Sequence, residues 1–173
     1  MNRRDFETLL LTLESTPALL VRAAATLSQT QTRCRPAEGA FSFVESVWHL
    51  ADLEREAYGS RIRRILAEDH PHLPNFDGER LAREREYQQR DLQPGLEQFA
   101  RARAQNLELL KRVPQADWKR CGAQEGVGRV ALSDIPRMMA EHDRAHGAEI
   151  ADILAMLRGD SRPDCGRTTS AVA

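Results

Sequence analysis

His142 and His146 stand four apart in Glu141-His142-Asp143-Arg144-Ala145-His146. Around them apolar residues recur at Ile135, Met139, Ile150, Ile153 and Leu157. Steps of three and four mark one face of an α-helix. The two histidines fall into that series where aliphatic residues are due. Residues four apart sit about 40° apart around the helix axis and ~6 Å apart along it, so both rings project the same way. A buried imidazole carries a donor and an acceptor that both need partners. A divalent metal ion would satisfy one nitrogen of each ring. The plainer alternative is a pair of core histidines bonded to buried polar groups. The zinc-protease motif H-E-x-x-H is absent, because Asp143 stands where its glutamate would be.

Three imidazoles with an open fourth position would be the arrangement of a catalytic zinc. The candidates for a third are His49, His70 and His72. His49 lies in Trp48-His49-Leu50-Ala51-Asp52-Leu53-Glu54, beside apolar neighbours in a helical pattern. His70 and His72 lie in the turn-rich stretch from Glu68 to Gly78, where Pro71 and Pro74 oppose a strand. Both read as solvated loop histidines, which leaves His49 as the best third ligand on physical grounds. A lone helical histidine is nevertheless more often a satisfied core residue. Glu45 and Asp52, one turn either side of His49, could carry protons or hold the ligands in place. Surface helix charge is the simpler reading of each.

Four long amphipathic helices would position these residues. The first spans about 5–28, with a break expected at Pro17 after the cap-like Ser15-Thr16. Residues 29–40 form a polar loop. Ser42 and Glu45 make a capping box that opens a helix over 43–67, with Phe43, Val47, Leu50, Ala57, Ile62 and Ile65 inward. Residues 79–90 are highly charged and predict a short exposed helix anchored by Leu81 and Tyr87. Asp91 caps a third long helix over 92–113, with Pro94 in its first turn. Residues 115–130 contain Gly122, Gly126 and Gly128 without phosphate-loop spacing, and predict a flexible loop. Ser133 caps the fourth helix, 133–158, and Gly159 is its natural C-cap. The expected fold is all-α, a four-helix bundle with a long connection between helices two and three. The bundle would occupy 1–159 and a disordered tail 160–173.

Composition narrows the function. The chain of 173 residues fits one domain. Its 25 basic and 26 acidic residues give a net charge of −1, which argues against a nucleic-acid partner. No run approaches the ~18 apolar residues of a membrane span, and the N-terminus lacks the apolar core of a signal peptide. Cys34, Cys121 and Cys165 are an odd set at unpatterned spacing. They are expected to be free thiols and not metal ligands, in a cytoplasmic protein.

The Trp48–Glu54 string, the Glu141–His146 string, and Leu73-Pro74-Asn75-Phe76-Asp77-Gly78-Glu79-Arg80-Leu81 with Tyr87 and the Phe99 helix resemble the DinB-like superfamily over roughly residues 5–158. The resemblance implies a four-helix bundle that holds one divalent metal ion on three histidines, here His49, His142 and His146. Characterised relatives include metal-dependent thiol transferases using bacillithiol, mycothiol or glutathione, and a mycothiol-dependent isomerase. The expected function is therefore thiol transfer. A low-molecular-weight thiol would bind as thiolate, the reactive nucleophile, and attack an electrophile. A hydrolase using metal-activated water, or a non-catalytic binding bundle, are the alternatives. Three imidazoles suit zinc or nickel first, iron or copper next. The partner is a small molecule, and a homodimer stays open.

Overall fold

The computed structural model describes residues 3–158. The expected C-cap at Gly159 and the tail 160–173 lie outside the described residues. The elements in order are α1 (Arg3–Ala24), α2 (Gln29–Thr32), α3 (Phe43–Asp52), a π-helical segment (Leu53–Tyr58) and α4 (Gly59–Ala67). There follow β1 (His72–Leu73), α5 (Gly78–Glu84), a 3-10 turn (Tyr87–Gln89) and α6 (Leu92–Lys111). The described residues end with a 3-10 turn (Gln115–Lys119), β2 (Cys121–Gln124), β3 (Gly128–Ala131), a 3-10 turn (Leu132–Asp134) and α7 (Ile135–Arg158). The fold is a four-helix bundle with a small sheet at one side. α3, the π segment and α4 run on without interruption as the second long helix.

The helix periodicity translates into packing as expected. Phe43, Val47, Ile62 and Ile65 are fully buried, as are Phe99, Leu110, Ile135 and Met139. α1 packs on α6 and α7, and α3 packs on the same two. The first and second long helices therefore face each other across the bundle diagonal. Ser42 and Glu45 form the capping box, with Glu45 N donating to Ser42 Oγ and Ser42 N donating to Glu45 Oε2 at 2.8 Å.

Four details differ from expectation. α1 does not break at Pro17. Proline lacks the N–H that would bond the Leu13 carbonyl, but Arg103 Nη1 donates to that oxygen at 3.1 Å instead. Thr16 Oγ1 donates to Asp143 Oδ2 at 2.7 Å and so does not cap a new helix. Asp91 stands at the N-cap of α6 without a side-chain cap bond; its backbone carbonyl accepts from Trp48 Nε1 at 3.0 Å. Ser133 lies inside a 3-10 turn before α7, where Asp134 accepts from Ala131 N at 3.0 Å.

The fourth difference is the sheet, ordered β1-β2-β3 with β1 parallel and β3 antiparallel to β2. β1 is an edge strand, so the missing N–H groups of Pro71 and Pro74 cost it nothing on the paired side. Its ladder uses the carbonyls of Pro71 and Leu73, which accept from Ala123 N at 2.9 Å and Glu125 N at 3.0 Å. Gly122 is not a loop glycine. A Cβ there would meet the Pro71 carbonyl at 2.7 Å, so glycine permits the strands to close. Gly126 and Gly128, at φ +74° and +94°, turn the hairpin between β2 and β3.

Candidate metal centre

His49 sits about two turns into the second long helix, and His142 and His146 sit one turn apart on α7, which packs against α3. One ring nitrogen from each lies within 4.8 Å of the others. The ring centroids are 4.5 Å apart for His142–His146, 4.9 Å for His49–His146 and 5.4 Å for His49–His142. His49 and His146 are each only 8% exposed. Phe41 and Phe76 stand against His49, with centroids at 5.5 and 5.9 Å. Tyr58 stands edge-on to His142 at 6.4 Å. The backbone of Gly78, at the start of α5, presses on the His49 ring so closely that a Cβ would fall 2.3 Å from Cε1.

The Nδ1 atoms of His49, His142 and His146 are all buried without a hydrogen-bond partner. Glu149 Oε2 lies 2.8 Å from His146 Nδ1 but out of line for a hydrogen bond. Three core histidines satisfied by ordinary hydrogen bonds would not leave these atoms bare. Burial drives the His49 pKa down to about 3, helped by His146 and His142. Burial also drives His142 to about 4, with His146 adding to the shift and Asp143 opposing it. Both rings are therefore neutral at pH 7, the state in which imidazole can donate a lone pair to a metal. Neutral nitrogen donors, clustered and otherwise unsatisfied, fit a divalent transition-metal ion.

Glu45 and Asp52 do not serve this cluster. Glu45 is occupied by Ser42 and by Arg35, whose Nε and Nη2 donate at 2.9 and 2.5 Å. Asp52 is fully buried and accepts from Tyr87 Oη at 2.6 Å, Gln98 Nε2 at 3.0 Å, Arg55 and Arg85. Both carboxylates tie the second helix to its neighbours. His70 and His72 also stay apart from the cluster. His70 Nδ1 lies 3.5 Å from Cys121 Sγ, and His72 belongs to β1.

The cysteines depart from expectation. Cys121 is free and buried in β2. Cys34 is disulfide-bonded, which overturns the expectation of three free thiols. Cys165 lies outside the described residues. No helix among the described residues is long and apolar enough to cross a membrane.

A cavity of about 530 Å³ opens over His49 and His146, walled by Pro36, Phe41, Ile153, Glu79, Glu149 and Asp152. Sequence reasoning missed Glu149. Its only signal was a position one turn after His146 on the same helix. Gly78 and Phe76 lay in the resemblance motif, but nothing in their types announced contact with His49.

A family model described as the DinB superfamily matches residues 12–150. The solved structure of YfiT from Bacillus subtilis matches with a TM-score of 0.84 at 19% identity, over 91% of this chain and 90% of that one. That protein is described as a probable metal-dependent hydrolase with an unusual four-helix bundle topology. No curated protein matches the chain.

Proposed function

The chain belongs to the DinB superfamily, and from that premise we propose that it is a divalent-metal-dependent enzyme, with the ion on His49, His142 and His146. The observation that carries this is the convergence of three buried imidazoles, each with one ring nitrogen within 4.8 Å of the others and an Nδ1 that makes no hydrogen bond. A divalent ion there would lower the pKa of a small thiol or of water and supply a nucleophile at neutral pH.

The residues of the cavity do the rest. Among the described residues that line it there is no serine, threonine, cysteine or lysine, and we take the nucleophile to enter from outside. Glu149, half exposed beside His146, is placed to take the proton that the nucleophile sheds. Phe41, Pro36 and Ile153 provide an apolar wall against which an electrophile can lie away from bulk water. We take the nucleophile to be a low-molecular-weight thiol: its sulfur bonds to an electrophilic carbon as the leaving group departs. Room for two reactants supports this, because a second cavity of about 610 Å³ adjoins the first. Hydrolysis is the second reading. It is favoured by the carboxylate of Glu149, which suits deprotonation of water, and by the description of YfiT.

The test is metal content first and chemistry second. Protein purified without an affinity tag, loaded with divalent metals and dialysed, is expected to retain about one ion per chain. His146→Ala should lose most of it at unchanged helix content by circular dichroism. Retention of the ion by the variant, or none by the wild type, would sink the reading. The loaded protein should then consume a small thiol in the presence of an electrophile. Ester or amide cleavage without thiol consumption would decide for hydrolysis.

A further inference from the structure

The cavity over the histidines continues beyond its rim. It shares Gly39, Ala40, Phe41 and Glu79 with the second cavity, whose wall adds Arg35, Arg83 and Glu86. The charged groups of this second wall carry both signs, and they are of two kinds.

Arg35 is fixed from behind. Its Nε and Nη2 are held by Glu45, which is 3% exposed and also accepts from Ser42 N and Oγ. Those bonds use two of the five guanidinium N–H groups. The other three remain on a side chain that is half open to the cavity. A guanidinium with a locked orientation loses little freedom on binding a carboxylate. Arg83, Glu79 and Glu86 are different. Their side chains form no hydrogen bond or ion pair among the described residues, so their charges are available to a ligand.

A purely anionic ligand would meet Glu79 and Glu86 in this wall. A purely cationic one would meet Arg35 and Arg83. A group that carries both charges a bond or two apart meets a partner for each. We propose that the second cavity holds a zwitterionic amino-acid head group of the substrate, with its carboxylate on Arg35 and Arg83 and its ammonium on Glu79 and Glu86. The rest of the molecule then passes Phe41 to reach the histidines. Glu79 belongs to both walls, which places the ammonium side of the head group toward them. The role of that far end rests on the metal-enzyme reading; the head-group site does not.

The experiment uses the full chain without metal, because amino acids chelate metal ions. The probes are L-norleucine, its deaminated analogue hexanoate and its decarboxylated analogue pentylamine. Binding is followed by the amide signals of Ala40 and Ala82. Norleucine is expected to shift these signals saturably, with each analogue at least tenfold weaker. Arg83→Gln and Glu79→Gln should each weaken norleucine about tenfold, and Arg83→Gln, at a residue outside the cavity over the histidines, should leave metal retention in parallel samples at the wild-type level. Equal binding of all three probes, no binding, binding only after metal loading, or unchanged affinity in Arg83→Gln would overturn the proposal. Loss of metal retention with norleucine binding intact would count against the metal enzyme and leave the head-group site standing.

Discussion

The His49 ring is held on three sides, by Phe41, by Phe76 and by the bare backbone of Gly78. Its position is therefore set by packing before any metal arrives, and preorganised ligands lose less freedom on binding. Gly78 makes this testable. In Gly78→Ala the new methyl would overlap Cε1 and Nδ1 of His49, so the ring must swing away from His142 and His146. Metal affinity should fall at least about tenfold, about 1.4 kcal/mol, with a smaller change in the urea midpoint of the metal-free protein. Unchanged affinity by competition with a chromophoric chelator would show that the ring has slack. The histidines themselves were legible, because each occupies a slot in an apolar helical series. Gly78 and Glu149 were not. A glycine's contact with a ring depends on how the elements pack, which sequence spacing does not carry; Glu149 stands at i+3 from His146 on one helix, but that spacing alone does not separate it from the other surface carboxylates of α7.

The second helix contains the irregularity that links the site to the rest of the bundle. Between Leu53 and Tyr58 the ladder widens to π-helical spacing, with Gly59 N donating to Glu54 O. Asn106 Nδ2 inserts there, donating to Glu54 O at 2.8 Å and Oε1 at 2.9 Å. Gly59 makes room for it, since a Cβ would lie 2.8 Å from Asn106 Oδ1. The turn that results buries Glu54 beside Arg103, which lies 2.9 Å from it and 2.7 and 2.8 Å from the oxygens of Asp143. One guanidinium, 2% exposed, thus joins α1, the π segment and α7 from its place on α6. Burial pulls the Arg103 pKa down, but the Asp143 hydrogen bonds and the Glu54 charge more than reverse this. Glu54 is pushed up by its own burial against the pull of Arg103. Removing Arg103 alone leaves two buried carboxylates uncompensated, at a cost of about 3–5 kcal/mol. Arg103→Met should lower the urea midpoint accordingly, and adding Glu54→Gln and Asp143→Asn should recover much of the loss. A variant as stable as wild type would show that the cluster is not structural. Helix periodicity located both long helices, yet neither the π turn nor the unbroken passage through Pro17 could be read from it. Each depends on a polar side chain arriving from a distant helix to take up a backbone group. The sheet escaped for a related reason: Pro71 and Pro74 argue against a strand only if the paired side needs their N–H groups.

At the level of the whole molecule, the buried histidines couple folding to protons and, on the proposed reading, to metal. In the unfolded chain His49 and His142 would titrate near the ordinary value of about 6.5. In the folded, metal-free chain burial holds them at about 3 and about 4. Between those limits the unfolded state binds protons that the folded state refuses, so stability rises with pH through that interval. This contribution is complete above about pH 6.5 and is lost as pH falls toward the folded values. The slope is up to about 1.4 kcal/mol per pH unit for each ring. The interval from pH 6.5 to 5 isolates it, because carboxylates titrate mostly below that range. Urea unfolding of the metal-free protein should show the slope there, and His142→Leu should roughly halve it. A pH-independent midpoint from 6.5 to 5 would mean that the rings are solvated and not buried as described. Metal adds the opposing linkage. At a free ion concentration a hundred times its dissociation constant, the folded state gains about 2.7 kcal/mol. Because the folded rings stay neutral down to about pH 4, the ion need not displace protons from His49 or His142 in this interval. Titration of His49 and His142 should therefore not drive the ion off at pH 5.5; metal content after dialysis at pH 7 and at pH 5.5 checks this, and a loss that follows the protonation of these two rings would show that they are solvated.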